Sequence, residues 1–306
     1  MQTKRQIQQL LASAGVRPNK RLGQHFLIDL NLMRRLVDSA NINGNDIVLE
    51  VGCGTGSLTG ELVEKAGFVV AVEFDRTLAG LAKSSLANTD NVELINTDVL
   101  KNKNTLSHTV VSALESARKK YTGRVLLVAN LPYSAASPTM LNLITGPAAA
   151  DAMYVTVQKE VADRMTAVPG SGDYGILSIL LSAVGDVKTI RILRPSVFWP
   201  QPKVDSAMVG FVRIEEKYRR IEDMGLFGET VNLFMGHRRK TLTACSRLAR
   251  GRLAKINNAE DINTGGINWP EIFERCGIVP TRRPEQLSSE DYLAIANLCR
   301  SILAEA

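Results

Sequence analysis

A side-chain amide, a backbone carbonyl and a phenol ring follow one another at Asn130-Leu131-Pro132-Tyr133, where the apolar run RVLLVANLPY ends. Oxygens and a ring placed in this way suit one demanding reaction. The exocyclic N6 amine of adenine is a poor nucleophile because its lone pair is delocalised into the ring. Acceptors that pull on its hydrogens make the nitrogen tetrahedral and aim the lone pair outward. The Asn130 side-chain oxygen and the Leu131 carbonyl supply two such acceptors, and Pro132 shapes the turn. Tyr133 can stack on a base extruded from its helix, a contact of about 1–3 kcal/mol. Such a transfer needs neither a dedicated base nor a metal, because alkylation itself makes the N6 proton acidic. An ordinary proline turn is the alternative reading of the same residues.

The amine must meet an electrophile. IVLEVGCGTGSLTGELVEKAG reads as a strand, a glycine-rich turn and a helix, with Gly52, Gly54 and Gly56 in a G-x-G-x-G pattern. Such a turn lets the backbone approach a ligand at the carboxyl edge of a sheet. The next run, FVVAVEFD, carries Glu73 near its end, where a carboxylate accepts both hydroxyls of a ribose. That spacing also suits a nicotinamide dinucleotide. Glu50 ahead of the glycines and Asp98 at the end of VELINTD favour S-adenosylmethionine instead, since an acid at Asp98 can accept the amine of a bound adenine. Read blandly, Asp98 is a solvated turn residue.

The elements that must position these groups are visible as apolar runs. Ile47–Val51, Phe68–Glu73, Val92–Asn96, Arg124–Ala129 and Met153–Val157 alternate with helical stretches and predict a parallel α/β sheet. Val187–Leu193 and Ala207–Ile214 follow, joined only by RPSVFWPQPKVDS. That connection suits an antiparallel hairpin at the sheet's end and brings the strands to seven. Past Glu215 the pattern turns to helices and polar turns. Residues 1–215 are therefore assigned to a catalytic, cofactor-binding domain and 216–306 to a small all-helical domain that binds RNA.

In the helical part, Val231, Phe234, Met235, Leu242, Cys245 and Ala249 share one face at a 3.6-residue period, with Arg239, Lys240, Arg247 and Arg250 on the opposite arc. Arg238 falls on the apolar side, which implies pairing with a buried acid or a break near Gly236. His237 to Lys255 holds seven basic residues, Arg252 and Lys255 among them, and no acid. A charge run usually means a solvated face; the absence of interleaved acids favours an RNA footprint. Lys20 and Arg21, with Arg118, Lys119 and Lys120, could extend it.

Over 306 residues, 37 Lys and Arg stand against 31 Asp and Glu, a net +6 that favours a polyanionic partner. The 45% hydrophobic and 22% charged content is that of a folded chain. Cys53, Cys245, Cys276 and Cys299 lack the spacing of a zinc cluster or a disulfide framework. The opening residues lack a signal-peptide pattern, and no run approaches the ~20 apolar residues of a membrane span. A cytoplasmic, metal-free protein away from membranes is expected. Nothing demands a dimer, so a monomer is expected.

Several longer stretches, in order, carry a resemblance: KRLGQHFLID (Lys20–Asp29), LEVGCGTGSLT (Leu49–Thr59), ANLPYS, VQKEVADRM (Val157–Met165), YGILSIL (Tyr174–Leu180), FWPQPKVDSAMV (Phe198–Val209) and HRRKTL (His237–Leu242). Over nearly its full length the chain resembles the KsgA/RsmA family of small-subunit (16S) rRNA adenine N6,N6-dimethyltransferases. The resemblance implies a class I S-adenosylmethionine-dependent methyltransferase fold, with a Rossmann-like seven-stranded sheet whose last strand is antiparallel. It implies dimethylation of two adjacent adenosines in the 3'-terminal hairpin loop of 16S rRNA within the small ribosomal subunit, and a role in subunit biogenesis. It places cofactor contacts at His25, Leu27, Gly52, Glu73, Asp98 and Asn130, although the family more often has asparagine where His25 stands. RPSVFWPQPKVDSA is similar to the family's segment that closes over the flipped base, with Phe198 opposite Tyr133. Alternatively, Phe198 and Trp199 cap the core.

Other readings are an enzyme of the macrolide-resistance type acting on large-subunit rRNA, a DNA adenine methyltransferase, a dinucleotide-dependent dehydrogenase, and an assembly factor without catalysis. HRRKTL and the basic helix favour the small-subunit reading, and a dehydrogenase leaves Asn130–Tyr133 unexplained.

Overall fold

The apolar runs become the strands of one sheet: β1 Ile47–Val51, β2 Phe68–Glu73, β3 Val92–Asn96, β4 Val125–Asn130, β5 Ala152–Gln158, β6 Gly185–Leu193 and β7 Ser206–Arg213. The structure, a computed structural model, describes residues 1–19, 22–248 and 267–305. Across the sheet the order is β3-β2-β1-β4-β5-β7-β6. β1 is parallel to β2 and β4, β2 to β3, and β4 to β5. The direction of progression reverses between β1 and β4, and open α/β sheets bind ligands at such a switch point.

The last strand, β7, is antiparallel to β5, as expected, but it is inserted between β5 and β6 and does not form the edge. Burial explains the exchange. SAMVGFVR is buried over most of its length, whereas the edge strand GDVKTIRIL exposes Lys188 and Arg191, charges that blunt an open edge.

The β1 sequence IVLEV is buried throughout, as a strand covered on both faces must be. Helix α1 spans Lys4–Ser13, α2 Leu30–Ser39, α3 Thr59–Leu62, α4 Arg76–Ser85, α5 His108–Arg118 and α6 Ala136–Thr145. Met33, Leu36 and Val37 of α2 join Val48, Val69 and Leu126 in one core. Asp29 and Asp75 cap α2 and α4, each accepting two backbone N–H groups through one carboxylate oxygen. At the sheet's other end, fully buried Asp46 accepts hydrogen bonds from the backbone and guanidinium of Arg124, tying the start of β1 to that of β4. Burial would raise the Asp46 carboxyl, but hydrogen bonds from Arg124 and the Asn43 backbone outweigh it and hold it below 3.8.

The chain divides into two compact units, Met1–Ala162 with Val187–Val212, and Asp163–Asp186 with Arg213–Ala306. As well as the helices after Arg213, the second unit therefore takes in Asp163–Asp186. That stretch holds the end of α7 (Lys159–Thr166) and α8 (Ile176–Val184), an almost wholly buried apolar helix. The second unit adds α9 Glu215–Tyr218, α10 Met224–Met235, α11 Leu242–Leu248, α12 Trp269–Arg275 and α13 Ser289–Glu305. Its core is aromatic: the Phe234 ring meets Trp269 edge-on at 5.2 Å between centroids, with Phe273 at 6.0 Å.

The single amphipathic basic helix read from sequence is two helices. α10 ends at Met235 and α11 begins at Leu242, so Val231, Phe234 and Met235 belong to one and Leu242 and Cys245 to the other. Of the two resolutions for Arg238, the break occurs and the buried acid does not: Arg238 lies exposed in the break, donates to the Gly172 and Tyr174 carbonyls at 3.2 and 3.3 Å, and approaches the partly exposed Glu285 at 3.9 Å. Arg239 and Lys240 lie in the same break, and Arg247 on α11. All three are exposed and form no ion pair among the described residues. Lys20, Arg21, Ala249, Arg250, Arg252 and Lys255 lie outside the described residues. No helix among those described is long and apolar enough to cross a membrane.

Candidate active site

At the carboxyl ends of β1 to β4 lies a cavity of about 380 Å³, within the range of small-molecule sites. Gly52 and Gly54 reach it from β1, Glu73 and Phe74 from β2, Asp98 and Val99 from β3, Asn130 to Tyr133 from β4, and Leu22 to Phe26 from the N-terminal segment. Of the expected cofactor groups, His25, Gly52, Gly54, Glu73, Asp98 and Asn130 line one space with the Asn130–Tyr133 turn.

The two turns meet directly. Gly52 has φ +77°, and a Cβ there would lie 2.8 Å from Pro132 Cγ, so a side chain would both strain the backbone and push on the catalytic turn. Gly56 serves a different purpose: a Cβ there would meet Ser85 Oγ at 2.9 Å, and the residue does not line the cavity. It lets the turn pack on α4.

Glu73 is buried, and both its oxygens are engaged, Oε2 by the Gly54 N–H at 2.8 Å and Oε1 by the Asp75 N–H at 2.9 Å. Each oxygen keeps a second lone pair for a ligand hydroxyl. Burial raises its pKa, with the backbone donors opposing. Asp98 is exposed; its Oδ1 accepts from the Leu100 N–H at 2.9 Å, so it is both a turn residue and a cavity residue.

Glu50 is buried with Oε2 unpartnered among the described residues, and it lines a second cavity of about 40 Å³ beneath the glycine turn with Cys53, Thr55 and Ser57. Burial pushes its carboxyl up to about 8. The negative charge of Glu73 adds to this. Glu50 also helps to push the buried Cys53 thiol up, after desolvation.

The Asn130 amide is held at both ends. Its Nδ2 donates to the His25 carbonyl at 2.8 Å, and its Oδ1 accepts from the Thr156 hydroxyl. Tyr133 is half-buried, with its hydroxyl 3.0 Å from Ser206 Oγ; burial raises its pKa. His25 lines the cavity, donates from Nδ1 to the Pro200 carbonyl at 2.6 Å, and stacks on Tyr133 with ring centroids 5.5 Å apart.

Leu27 and Phe198 face each other across a two-residue antiparallel ribbon, both buried in the core; neither lines the large cavity, and Leu27 lines the smaller one with Gly52, Gly54 and Asn130. An apolar ring in such a ribbon gains more from the core than from solvent. His25, and not Phe198, is the ring beside Tyr133.

Sequence reasoning missed Phe74, which is 59% exposed at the cavity's lip, and Thr156. Phe74 follows a buried strand and reads there as core; only its place after Glu73, where the strand has ended, could have signalled otherwise. Among the described residues no three or more His, Cys, Asp or Glu gather as metal ligands.

The model of one family, described as ribosomal RNA adenine dimethylase, matches residues 15–266. The chain belongs to that family. This dimethylase is 37% identical over 280 residues to ribosomal RNA small subunit methyltransferase A of Alkaliphilus oremlandii, with 91% of each chain covered. It is equally identical over 282 residues to the protein of the same name from Clostridioides difficile, covering 92% of this chain and 90% of that one.

Among solved structures, a dimethyladenosine transferase from Plasmodium falciparum has a TM-score of 0.68 at 24% identity, covering 89% of this chain and 96% of that one. The 23S rRNA methyltransferase ErmE has a TM-score of 0.58 at 20% identity, covering 89% and 98%. These two likenesses show the fold, a Rossmann-like methyltransferase sheet, and no more than the fold. The dimethylase is thus an rRNA adenine methyltransferase, and the dinucleotide-dependent dehydrogenase is excluded.

Proposed function

We propose that this dimethylase transfers methyl groups from S-adenosylmethionine to the N6 amines of two adjacent adenosines in the 3'-terminal hairpin loop of 16S rRNA, acting on the small ribosomal subunit as a cytoplasmic monomer. One observation carries the reading: the acceptors Asn130 and Leu131 line the same cavity as the carboxylates of Glu73 and Asp98. The small-subunit substrate is supported by the names of relatives at 37% identity. ErmE, at 20%, carries no weight for the large-subunit alternative.

The residues present fit the cofactor. The cavity is of adequate size, carboxylates end two adjacent strands, and a buried orphan oxygen of Glu50 lies beneath the glycine turn, where a cationic ligand would be complemented. Glu73 would hold the ribose hydroxyls and Asp98 the adenine amine, with Phe74 against the base, Gly52 and Gly54 admitting the ligand to the backbone, and His25 closing the wall. Leu27 would act from behind, through its ribbon with Phe198. When bound, the cofactor supplies a methyl group on a cationic sulfur.

The chain's own residues do the rest. Asn130 Oδ1 and the Leu131 carbonyl accept the N6 hydrogens and direct the lone pair, Pro132 packs the turn against Gly52, and Tyr133 offers its ring to the extruded base. Phe198 would reach that base only by leaving the core. Residues 1–215 thus form the catalytic part. Arg239, Lys240 and Arg247, with Arg250 beyond the described residues, bind RNA phosphates from 216–306. The test is to incubate the protein with labelled S-adenosylmethionine and unmethylated small subunits, digest the rRNA, and identify the labelled nucleoside. Label in dimethyladenosine supports the proposal; label confined to another nucleoside, or to large-subunit rRNA in a parallel reaction, overturns it.

A further inference from the structure

Thr156 lies in the middle of β5, AMYVTVQ, and is 1% exposed. In the parallel pairing of β4 with β5 its partner is Asn130. From that one position it makes two contacts. Its hydroxyl donates to Asn130 Oδ1, and its backbone carbonyl accepts from the Leu131 N–H at 3.1 Å.

The Asn130 amide is therefore tied on its donor side to His25 and on its acceptor side to Thr156. A flip of the amide would set Oδ1 against the His25 carbonyl and turn an NH2 toward the substrate amine, donor against donor. The Thr156 hydroxyl, which can accept as well as donate, fixes the place and plane of the amide, while the His25 carbonyl fixes its sense. Held as it is, Oδ1 keeps one lone pair free for the cavity. The Leu131 contact fixes the peptide plane ahead of the second acceptor. Leu131 precedes proline, which confines it to extended backbone, so the direction of its carbonyl is restricted as well.

We infer that Thr156 is a positioning residue for methyl transfer, orienting the Asn130 amide oxygen and anchoring the turn that carries the Leu131 carbonyl. Valine would have the same outline in an otherwise apolar strand. A buried hydroxyl is unfavourable unless it is bonded, and the bond that satisfies this one goes to Asn130. The inference rests on Asn130 and Leu131 being the acceptors of the N6 hydrogens.

It has a further consequence for the order of events. The unmethylated amine offers two hydrogens and the monomethylated amine only one, so the second transfer depends more heavily on each acceptor being correctly turned.

The test compares Thr156→Val, Thr156→Ser and Asn130→Ala in the full chain, with labelled S-adenosylmethionine and unmethylated small subunits. The expected result for T156V is a fall in kcat of roughly tenfold, the scale of one oriented hydrogen bond. Its KM for both substrates should stay within about twofold, because no binding contact is removed. The product should shift toward monomethyladenosine, and T156S should recover most of kcat and the normal product ratio. If T156V keeps wild-type kcat and product ratio while N130A is inactive, the inference about Thr156 is overturned and the acceptor assignment stands. Should N130A itself remain active, the acceptor assignment fails, and the inference with it. A T156V protein that loses cofactor affinity in step with kcat, unrescued by T156S, would also overturn the positioning role.

Discussion

Replacing Glu50 by glutamine keeps the outline of a fully buried side chain and removes its charge. The wild-type carboxyl stands at about 8 in the fold against 4.5 as a free side chain, chiefly through burial. At neutral pH it therefore holds a proton. A carboxyl whose folded pKa is raised destabilises the fold as pH climbs between the two values, because the open chain releases its proton first. The slope approaches about 1.4 kcal/mol per pH unit, so the whole window corresponds to roughly 5 kcal/mol as an upper bound. Between about pH 6 and 8.5 the wild type should lose roughly 3 kcal/mol that E50Q keeps.

Urea unfolding of both proteins at the two pH values measures this. The difference of differences cancels every other titrating group. A second arm uses calorimetry of S-adenosylmethionine binding near pH 7 in buffers of differing ionisation enthalpy. If the cationic end of the ligand lies over Glu50, wild-type binding releases a proton and E50Q binding releases none. Parallel pH dependence of the two unfolding curves would refute the reasoning outright, since Glu50 would then ionise in the fold as it does in water.

Asn130→Ala should lower methyl transfer by at least about a hundredfold, the scale of removing one acceptor at a reacting centre, with subunit affinity unchanged in a filter-binding assay. Reversing Arg239 and Lys240 to glutamate should weaken binding and reduce the slope of log affinity against log salt by at least about 1.5; an unaltered slope would remove them from the RNA footprint. Arg124→Ala should cost about 2–3 kcal/mol in urea unfolding at neutral pH by leaving the Asp46 carboxylate buried without its partner. Because the Asp46 pKa is depressed in the fold, the stability it contributes is present above 3.8 and fades as pH falls, so the cost of R124A should shrink in acid.

Burial on both faces forced continuous apolar runs in the central strands, and all seven runs match the strands to within two residues at each end, the partly exposed β3 and β6 included. Their carboxyl ends were legible with them, which is why Gly52, Glu73, Asp98 and Asn130 could be placed on one edge. Lateral order was not: β7 and β6 exchange places because one is apolar and the other charged, a distinction of degree along a single strand. Asp163–Asp186 escaped for another reason, since it interrupts the strand series with a helical excursion that belongs to the second unit. The helix break at Gly236 was suspected from Arg238 alone, the one charge on the wrong side of the wheel. That Phe198 sits in the core and His25 beside Tyr133 was not legible, because a sequence does not say which aromatic ring a two-residue ribbon turns inward. Thr156 could not be seen at all: a β-branched residue in a strand is what strand propensity predicts, so its hydroxyl carries no signal until Asn130 is found beside it.

The buried carboxyl groups are engaged away from the Asn130–Tyr133 turn. Glu73 is occupied by backbone donors, and Glu50 lies beneath the glycine turn holding a proton. What lines the reacting end of the cavity is an amide, a peptide carbonyl and a phenol whose pKa is raised by burial, with the His25 ring stacked behind the phenol and held by the Pro200 carbonyl. The first three do not change charge near neutrality. Methyl transfer to an aromatic amine asks for direction more than for acidity, and direction is what three separate segments supply: the N-terminal segment through the His25 carbonyl, β4 through Asn130 itself, and β5 through Thr156. A purely directional mechanism, with His25 serving only to support Tyr133 and Asn130, predicts a kcat that is flat across the neutral range while cofactor affinity carries the pH dependence of Glu50. A bell-shaped kcat profile centred near neutrality would mean that a proton-transferring group works at N6 after all, and that orientation alone does not account for the chemistry.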